Sequence, residues 1–337
     1  MSCEQPAAAV ANFSNPSWPN FMIGAGTGIL HYGHPPARYH DHRTQTSDPI
    51  LPQSDSMLNP KFASEALSQL AQFVTDHPRL FVLTGAGVST GSGIPDYRDA
   101  TGAWKRRQPV QYQEFVRNES IRKRYWARSL VGWRWFANAR PNATHHALAE
   151  LERKGHIHHL VTQNVDRLHQ QAGSERVIDL HGRLDRLICL DCGEKTPRAA
   201  FQSELEERNP RFAKLTAGIA PDGDADLERI DFTGFVVPPC PRCKGLMKPH
   251  VVFFCESVPK PRVEAVRSRL RESDALLVIG TSLMVFSGYR FAREAAQQNK
   301  PIAAVNLGQT RADDLLALKV AAPCETTLDG LLAALVC

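Results

Sequence analysis

The sequence predicts an α/β fold with a parallel sheet, interrupted by a helical segment and by a small cysteine-bearing module. Three observations carry this. Apolar runs without polar alternation recur at Arg79–Thr84, His158–Thr162, Ala275–Ile279 and Pro301–Asn306, as expected of strands buried on both faces. Amphipathic stretches at Thr144–Arg153, Val263–Arg271 and Tyr289–Gln298 lie between them, which gives strands alternating with helices. Small or polar turns follow several strands, where open α/β sheets of the Rossmann-like kind bind ligands.

Residues 1–56 are rich in Pro, His, Asn and Ser and have no sustained period. They predict a poorly ordered N-terminal extension, and the loose patch Gly24–Gly28 is assigned no chemistry. Asn59 is a suitable helix cap and Pro60 a suitable first helical residue. Phe62, Ala63, Ala66, Leu67, Leu70, Phe73 and Val74 continue at helical spacing. After the first strand, Gln111–Trp135 is dense in Tyr, Trp, Phe and Arg and reads as helical, whereas Gly193–Pro239 is polar and broken by Pro210, Pro221 and Gly223. The expected organisation is a catalytic domain at 57–337. Its core takes residues 57–100, 144–182 and 249–337, with a helical insertion at 101–143 and a metal module at 183–248.

The chain has 337 residues, 42% hydrophobic and 22% charged, enough to bury a large core and unlike disordered or collagenous sequences. Forty Lys+Arg against thirty-five Asp+Glu leave a net charge of +5 that is spread along the chain, so no stable nucleic-acid partner is expected. The N-terminus carries Glu4 and no Lys or Arg before Arg38, unlike a secretory or transit signal. No uncharged apolar run has membrane-spanning length. The expectation is a cytoplasmic monomer with no membrane partner.

Eight cysteines are few for a disulfide scaffold, and four form the pairs Cys189-Leu-Asp-Cys192 and Cys240-Pro-Arg-Cys243. Two such knuckles offer four thiolates to a tetrahedral zinc ion, a closed set with a structural role and no open position for catalysis. The 47 residues between the pairs (193–239) exceed the usual ribbon spacing, and a redox dithiol or unrelated thiols remain alternatives. A zinc-ribbon nucleic-acid module is a further rival. Arg183, Arg186, Arg242, Lys244 and Lys248 are present for it, but Asp185, Asp191 and Glu194 are interleaved with them.

Gly85-Ala-Gly-Val-Ser-Thr-Gly-Ser-Gly93 follows a predicted strand directly. Its glycines let backbone amides approach a pyrophosphate, and a following helix N-terminus would favour the negative charge. A strict G-x-G-x-x-G fails at Thr90, and no Gly-Lys-Ser/Thr follows to make a P-loop. The continuation Ile94-Pro-Asp-Tyr-Arg-Asp99 adds Asp96, Arg98 and Asp99. This long run resembles the signature of the sirtuins, NAD-dependent protein lysine deacylases. Thr162-Gln-Asn-Val-Asp166 resembles that family's second NAD motif, although the residues alone also suit an Asn-Asp helix-capping turn. Leu180-His-Gly182 resembles its catalytic-histidine motif, and an imidazole titrates near neutral pH as a general base must.

The resemblance spans about residues 57–337. It implies NAD as a consumed co-substrate, one structural zinc ion held by Cys189, Cys192, Cys240 and Cys243, and His181 as the base. NAD contacts are implied at Gly85, Ala86, Gly87, Ser89, Ile94, Pro95, Asp96, Tyr97 and Arg98, and at Gln163, Asn164, Val165 and Asp166. They are also implied at Gly280, Thr281, Ser282, Asn306, Leu307 and Gly308, with Cys324 closing over adenine. The long inter-knuckle gap resembles the class II sirtuins. Pro249–Glu256 resembles the strand that pairs with an acyl-lysine protein substrate, with Cys255 where the family usually has glycine, and a plain core strand is the alternative. The implied activity is deacylation of lysine with transfer of the acyl group to ADP-ribose. Mono-ADP-ribosyl transfer or lipoamidase activity is the runner-up, and a hydride-transferring dehydrogenase is the rival from another class. Tyr125-Trp-Ala-Arg128 resembles an acid-binding Tyr-x-x-Arg only superficially and carries no assignment.

Overall fold

Nine strands order the chain in the computed structural model, which describes residues 60–105, 108–216, 227 and 230–335, with side chains from 64 onward. They are β1 (Leu80–Thr84), β2 (Ile157–Thr162), β3 (Val177–Asp179), β4 (Gly182–Cys189), β5 (Lys195–Pro197), β6 (Met247–Val251), β7 (Ala275–Ile279), β8 (Ile302–Val305) and β9 (Leu318–Val320). Six of them form one sheet in the order β3-β2-β1-β7-β8-β9, parallel throughout. Counted within that sheet, the order is 3-2-1-4-5-6 of the doubly wound dinucleotide-binding fold. The direction of winding reverses between β1 and β7, and a crevice opens beyond their carboxyl ends.

The apolar runs form strands here because both faces are covered. Leu80 and Val82 of β1, with Leu277 and Ile279 of β7, pack under helices Pro60–Asp76, Ala143–Arg153 and Cys324–Ala334. Phe81, Leu83, Leu276 and Val278 point the other way, under helices Lys260–Glu272 and Phe286–Gln297. Each such side chain, fully withdrawn from water, contributes about 1.5–3 kcal/mol. Pro60 opens the first helix as predicted, while its expected cap Asn59 and the 1–56 extension lie outside the described residues. Leu58–Cys337 forms one compact unit. Among the described residues, no helix is long and apolar enough to cross a membrane.

Four local expectations are corrected. Gln111–Trp135 is two helices, Tyr112–Arg117 and Glu119–Asn138, because Asn118 turns extended (φ −116°) and its side chain accepts the Ile121 amide at 3.2 Å. The segment 193–239 is not wholly irregular: it holds β5 and helices Arg198–Arg208 and Pro210–Ala213. Its helical stripe is thin, since only Phe201 and Leu205 give it a buried apolar contact with the insertion, so periodicity was weak. The glycine loop leads into two short 3₁₀ turns, Ala86–Val88 and Thr90–Ser92, and not into an α-helix, so no helix N-terminus faces it there. Finally, the strand expected over Pro249–Glu256 ends at Val251, beyond which Cys255 takes a positive φ of 62°.

The second sheet, β5-β4-β6, is antiparallel. Its Leu187, Cys189 and Met247 share one core with Phe115, Tyr125, Trp126 and Leu130 of the helical insertion and with Phe201, Phe235 and Cys240. Insertion and module are therefore parts of one aromatic-rich body, with Trp126 and Phe201 at a ring separation of 4.8 Å.

Candidate active site

At the crevice, two backbones touch without side chains between them. The Gly87 amide donates to the Gly280 carbonyl at 2.8 Å, and a Cβ on Gly87 would stand 2.8 Å from that same oxygen. Gly280 has φ +57°, and a Cβ there would meet the Val88 nitrogen at 2.6 Å. Neither glycine can gain a methyl group without moving backbone. The loop after β1 and the loop after β7 thereby meet at the point where the strand order reverses.

The carboxamides after β2 fasten that junction. Asn164 Nδ2 donates to the Gly85 carbonyl and to Ser89 Oγ, both at 3.0 Å, and Ser89 Oγ donates to Asp166 Oδ2 at 2.7 Å. Asp166 also accepts the Leu168 amide at 2.9 Å, and burial pushes its carboxyl above the usual range. Gln163 donates from its amide to the Thr84 carbonyl and from Nε2 to Thr281 Oγ1, at 3.0 Å each. The neighbouring Val165 is half-buried against Ile94, Phe136 and Leu184.

His181 stands between β3 and β4. Its Nδ1 is 3.0 Å from the Gln163 carbonyl oxygen and its Nε2 is 2.8 Å from Ser287 Oγ. Burial holds the imidazole down at about 4, so it is neutral at physiological pH. The structure thus brings Gly85, Gly87, Ser89, Gln163, Asn164, Asp166, Gly280, Thr281 and His181 into one contact network.

The other sequence-predicted residues lie further along the crevice. Asp96 pairs with Lys105 at 2.5 Å, and Arg98 donates to the Gly102 carbonyl at 2.7 Å beneath the Trp104 ring, so both side chains are engaged inside their own loop. Tyr97 meets Trp104 and Phe254 edge-on. Asn306 Nδ2 donates to the Gly308 carbonyl at 3.0 Å, Leu307 is 67% exposed, and Gly308 abuts the Ala100 backbone. Ser282 accepts the Arg311 amide through its carbonyl. Cys324 begins the last helix, and burial raises its thiol to about 11, too high for a nucleophile. Ala86 opens the first 3₁₀ turn, and Pro95 lies beyond the second.

Sequence reasoning missed four groups. Ser287 reaches His181 from 106 positions away. His145 and His169 are fully buried beside the network: His169 Nε2 is 2.9 Å from Thr84 Oγ1, and His145 Nδ1 is 2.9 Å from Asn142 Oδ1. The spacing Asn142-x-x-His145 is a helix-start pattern that signals part of this. Lys248, only 3% exposed, pairs with Glu256 at 2.8 Å and lies over the rings of Phe253 and Tyr112.

The four thiols of the module converge: all sulfurs lie within 4.8 Å of one another, with Cys189–Cys243 at 3.5 Å and Cys192–Cys240 at 3.8 Å. Tetrahedral thiolates at about 2.3 Å from zinc stand about 3.8 Å apart, so the donor set fits that ion. Each knuckle closes on itself, through the Gly193 amide on the Cys189 carbonyl and the Lys244 amide on the Cys240 carbonyl.

A doubly wound sheet with glycine backbones at its switch point and a neutral, half-buried imidazole beside them defines the frame of a nucleotide-binding enzyme. Residues 85–287 match the model of the "Sir2 family". A Bordetella bronchiseptica protein named "NAD-dependent protein deacetylase" is 59% identical over 262 residues, covering 78% of this chain and 96% of that one. "NAD-dependent protein lipoamidase sirtuin-4, mitochondrial" of Bos taurus is 48% identical over 269 residues, covering 79% and 85%. Among solved structures, one described as "Sir2-p53 peptide-NAD+" superposes with a TM-score of 0.62 at 26% identity, covering 79% of this chain and 97% of that one. The chain belongs to the Sir2 family, the sirtuins.

Proposed function

We propose that this sirtuin is an NAD-dependent protein lysine deacylase of class II, in which His181 is the general base and the cysteine module holds one structural zinc ion. The observation that carries the reading is the meeting, at the carboxyl ends of β1, β2 and β7, of the glycine loop, Gln163-Asn-Val-Asp166 and a neutral His181. The relatives named as NAD-dependent protein deacetylases support the same activity.

NAD supplies the ribose carbon that accepts the acyl oxygen as nicotinamide leaves. The Gly85–Gly87 backbone packs directly against Thr281 and Gly280, and glycines in such a loop let backbone amides approach a pyrophosphate. Asn164 and Asp166, fixed through Ser89, present carboxamide and carboxylate to the nicotinamide and ribose side of the pocket. His181 takes the proton of a ribose hydroxyl at Nε2, the nitrogen not committed to the Gln163 carbonyl. The acyl-lysine peptide enters beside Phe253–Glu256. Tyr112 donates its amide to the Phe254 carbonyl there and keeps that segment against the helical insertion.

The test is nicotinamide release from NAD with acetyl-, lipoyl-, succinyl- and long-chain acyl-lysine peptides, with His181→Ala beside the wild type. Release should require acyl-peptide and fall at least a hundredfold in His181→Ala. Recovery of NADH, or full activity in the variant, would overturn the reading. Lipoyl removal is a second reading, favoured by the name of the bovine relative.

A further inference from the structure

We propose that Ser287 is a positioning residue for the base: its hydroxyl occupies His181 Nε2 until a ribose hydroxyl takes its place. The inference rests on the assignment of His181 as base and adds a residue which that assignment does not contain.

Hydrogen-bond logic fixes the direction of each contact. A carbonyl oxygen only accepts, so the 3.0 Å contact to the Gln163 oxygen requires the proton on His181 Nδ1. Nε2 then bears the lone pair, and the 2.8 Å contact from Ser287 Oγ is an O–H donated to it. Both ring nitrogens are thereby committed, which fixes the tautomer and the plane of the imidazole before any substrate binds.

The placement of Ser287 is specific. It is the second residue of helix Phe286–Gln297, and no side chain caps that helix start, so the hydroxyl has no capping task. The same turn is pressed against the carboxamide: a Cβ on Gly288 would stand 2.4 Å from Gln163 Oε1. One helix start therefore touches both Gln163 and His181. Its backbone dipole points positive charge toward the imidazole, as do the nearby Arg262 and Arg290. All three disfavour an imidazolium in the resting site. Ser287 is half-buried and not sealed in, so an incoming hydroxyl can displace it. The exchange trades one O–H···N hydrogen bond for another, so the base meets its substrate already dehydrated and aligned.

The experiment uses the full chain as wild type, Ser287→Ala, Ser287→Thr and Ser287→Cys. The His181 ring is followed by NMR titration, and kcat and KM are measured for NAD and acetyl-lysine peptide across pH. In Ser287→Ala the loss of a donor to the neutral ring should raise the His181 titration and the acid limb of the rate profile by about one pH unit. kcat should fall about fivefold with peptide KM unchanged. Thr should restore both and Cys, a weak donor, should fall between. An unchanged titration and profile in Ala, or a fall that Thr does not restore, overturns the proposal. The ring titration is read independently of turnover, so full activity in His181→Ala would remove the base assignment while leaving the hydrogen bond measurable. An Ala variant that fails to fold leaves the graded Thr and Cys comparison to decide.

Discussion

In the crevice, Gly87 and Gly280 bring two loops into contact by having no side chains, whereas in the module four thiols up to 54 positions apart are brought together by what surrounds them. The crevice is held by backbone hydrogen bonds and half-buried carboxamides above a sheet covered on both faces. Among the described residues the module has a three-stranded sheet and two helices, and it shares its apolar core with the helical insertion. A body that small lacks the buried area to be stable alone, so a metal ion and a shared core supply what the sheet supplies elsewhere. Catalytic precision and modular stability thus have separate physical sources within one chain.

The largest expected effect comes from removing the metal. Structural zinc contributes on the order of 10 kcal/mol to folding of small modules, so Cys240→Ser should lose the bound zinc and release the module core. Metal analysis should read close to none, and near-ultraviolet circular dichroism from Trp126 should weaken. Retention of the wild-type melting curve in a zinc-free variant would break the contrast between the two regions.

Next is Glu256→Leu, at the seam between module and crevice. It leaves the Lys248 ammonium buried without its carboxylate and should cost about 3–5 kcal/mol. The double variant Lys248→Met/Glu256→Leu should recover most of that in chemical denaturation, and no recovery would mean the pair is not coupled.

Gly87→Ala confines the damage to the crevice. A Cβ 2.8 Å from the Gly280 oxygen meets rigid backbone, so about 1–3 kcal/mol is expected. The KM for NAD should rise at least tenfold while zinc content is unchanged. A normal KM would show that the loop has more freedom than its packing suggests.

The effect smallest per residue is a pH dependence that belongs to the crevice. His145 and His181 are lowered by burial from 6.5 to about 4. Between those values the unfolded chain binds more protons than the folded one, so stability is complete above pH 6.5 and is lost as pH falls toward 4. Acidification to pH 5.5 should remove about 1–2 kcal/mol per histidine. Calorimetry should find a lower Tm at pH 5.5 than at 7, and a flat Tm across that interval would contradict the buried neutral rings.

The parallel sheet, the glycine loop and the two cysteine knuckles were legible because each is specified locally, whereas the Gln163–Asp166 segment and His181 were singled out only by resemblance. A strand buried on both faces must be apolar throughout, and a backbone that approaches another closely must be glycine. The helix at Arg198–Arg208 was not legible, because its two core residues acquire meaning only against Trp126. The end of β6 at Val251 was hidden for a similar reason: the apolar run continues, but the Lys248–Glu256 pair and the Phe254 contact with Gln111 and Tyr112 turn the chain out of the sheet.

The sequence by itself determined the family, the architecture of the main sheet and which residue types gather at its carboxyl edge, since those follow from neighbours a few positions away. Only the tertiary structure decided which partner each polar atom takes. His181 meets Ser287 across 106 positions, and Asp166 shares Ser89 with Asn164 across more than seventy. Hydrogen bonds are short-ranged in space and indifferent to distance along the chain, so these pairings exist only once the sheet has brought its loops together.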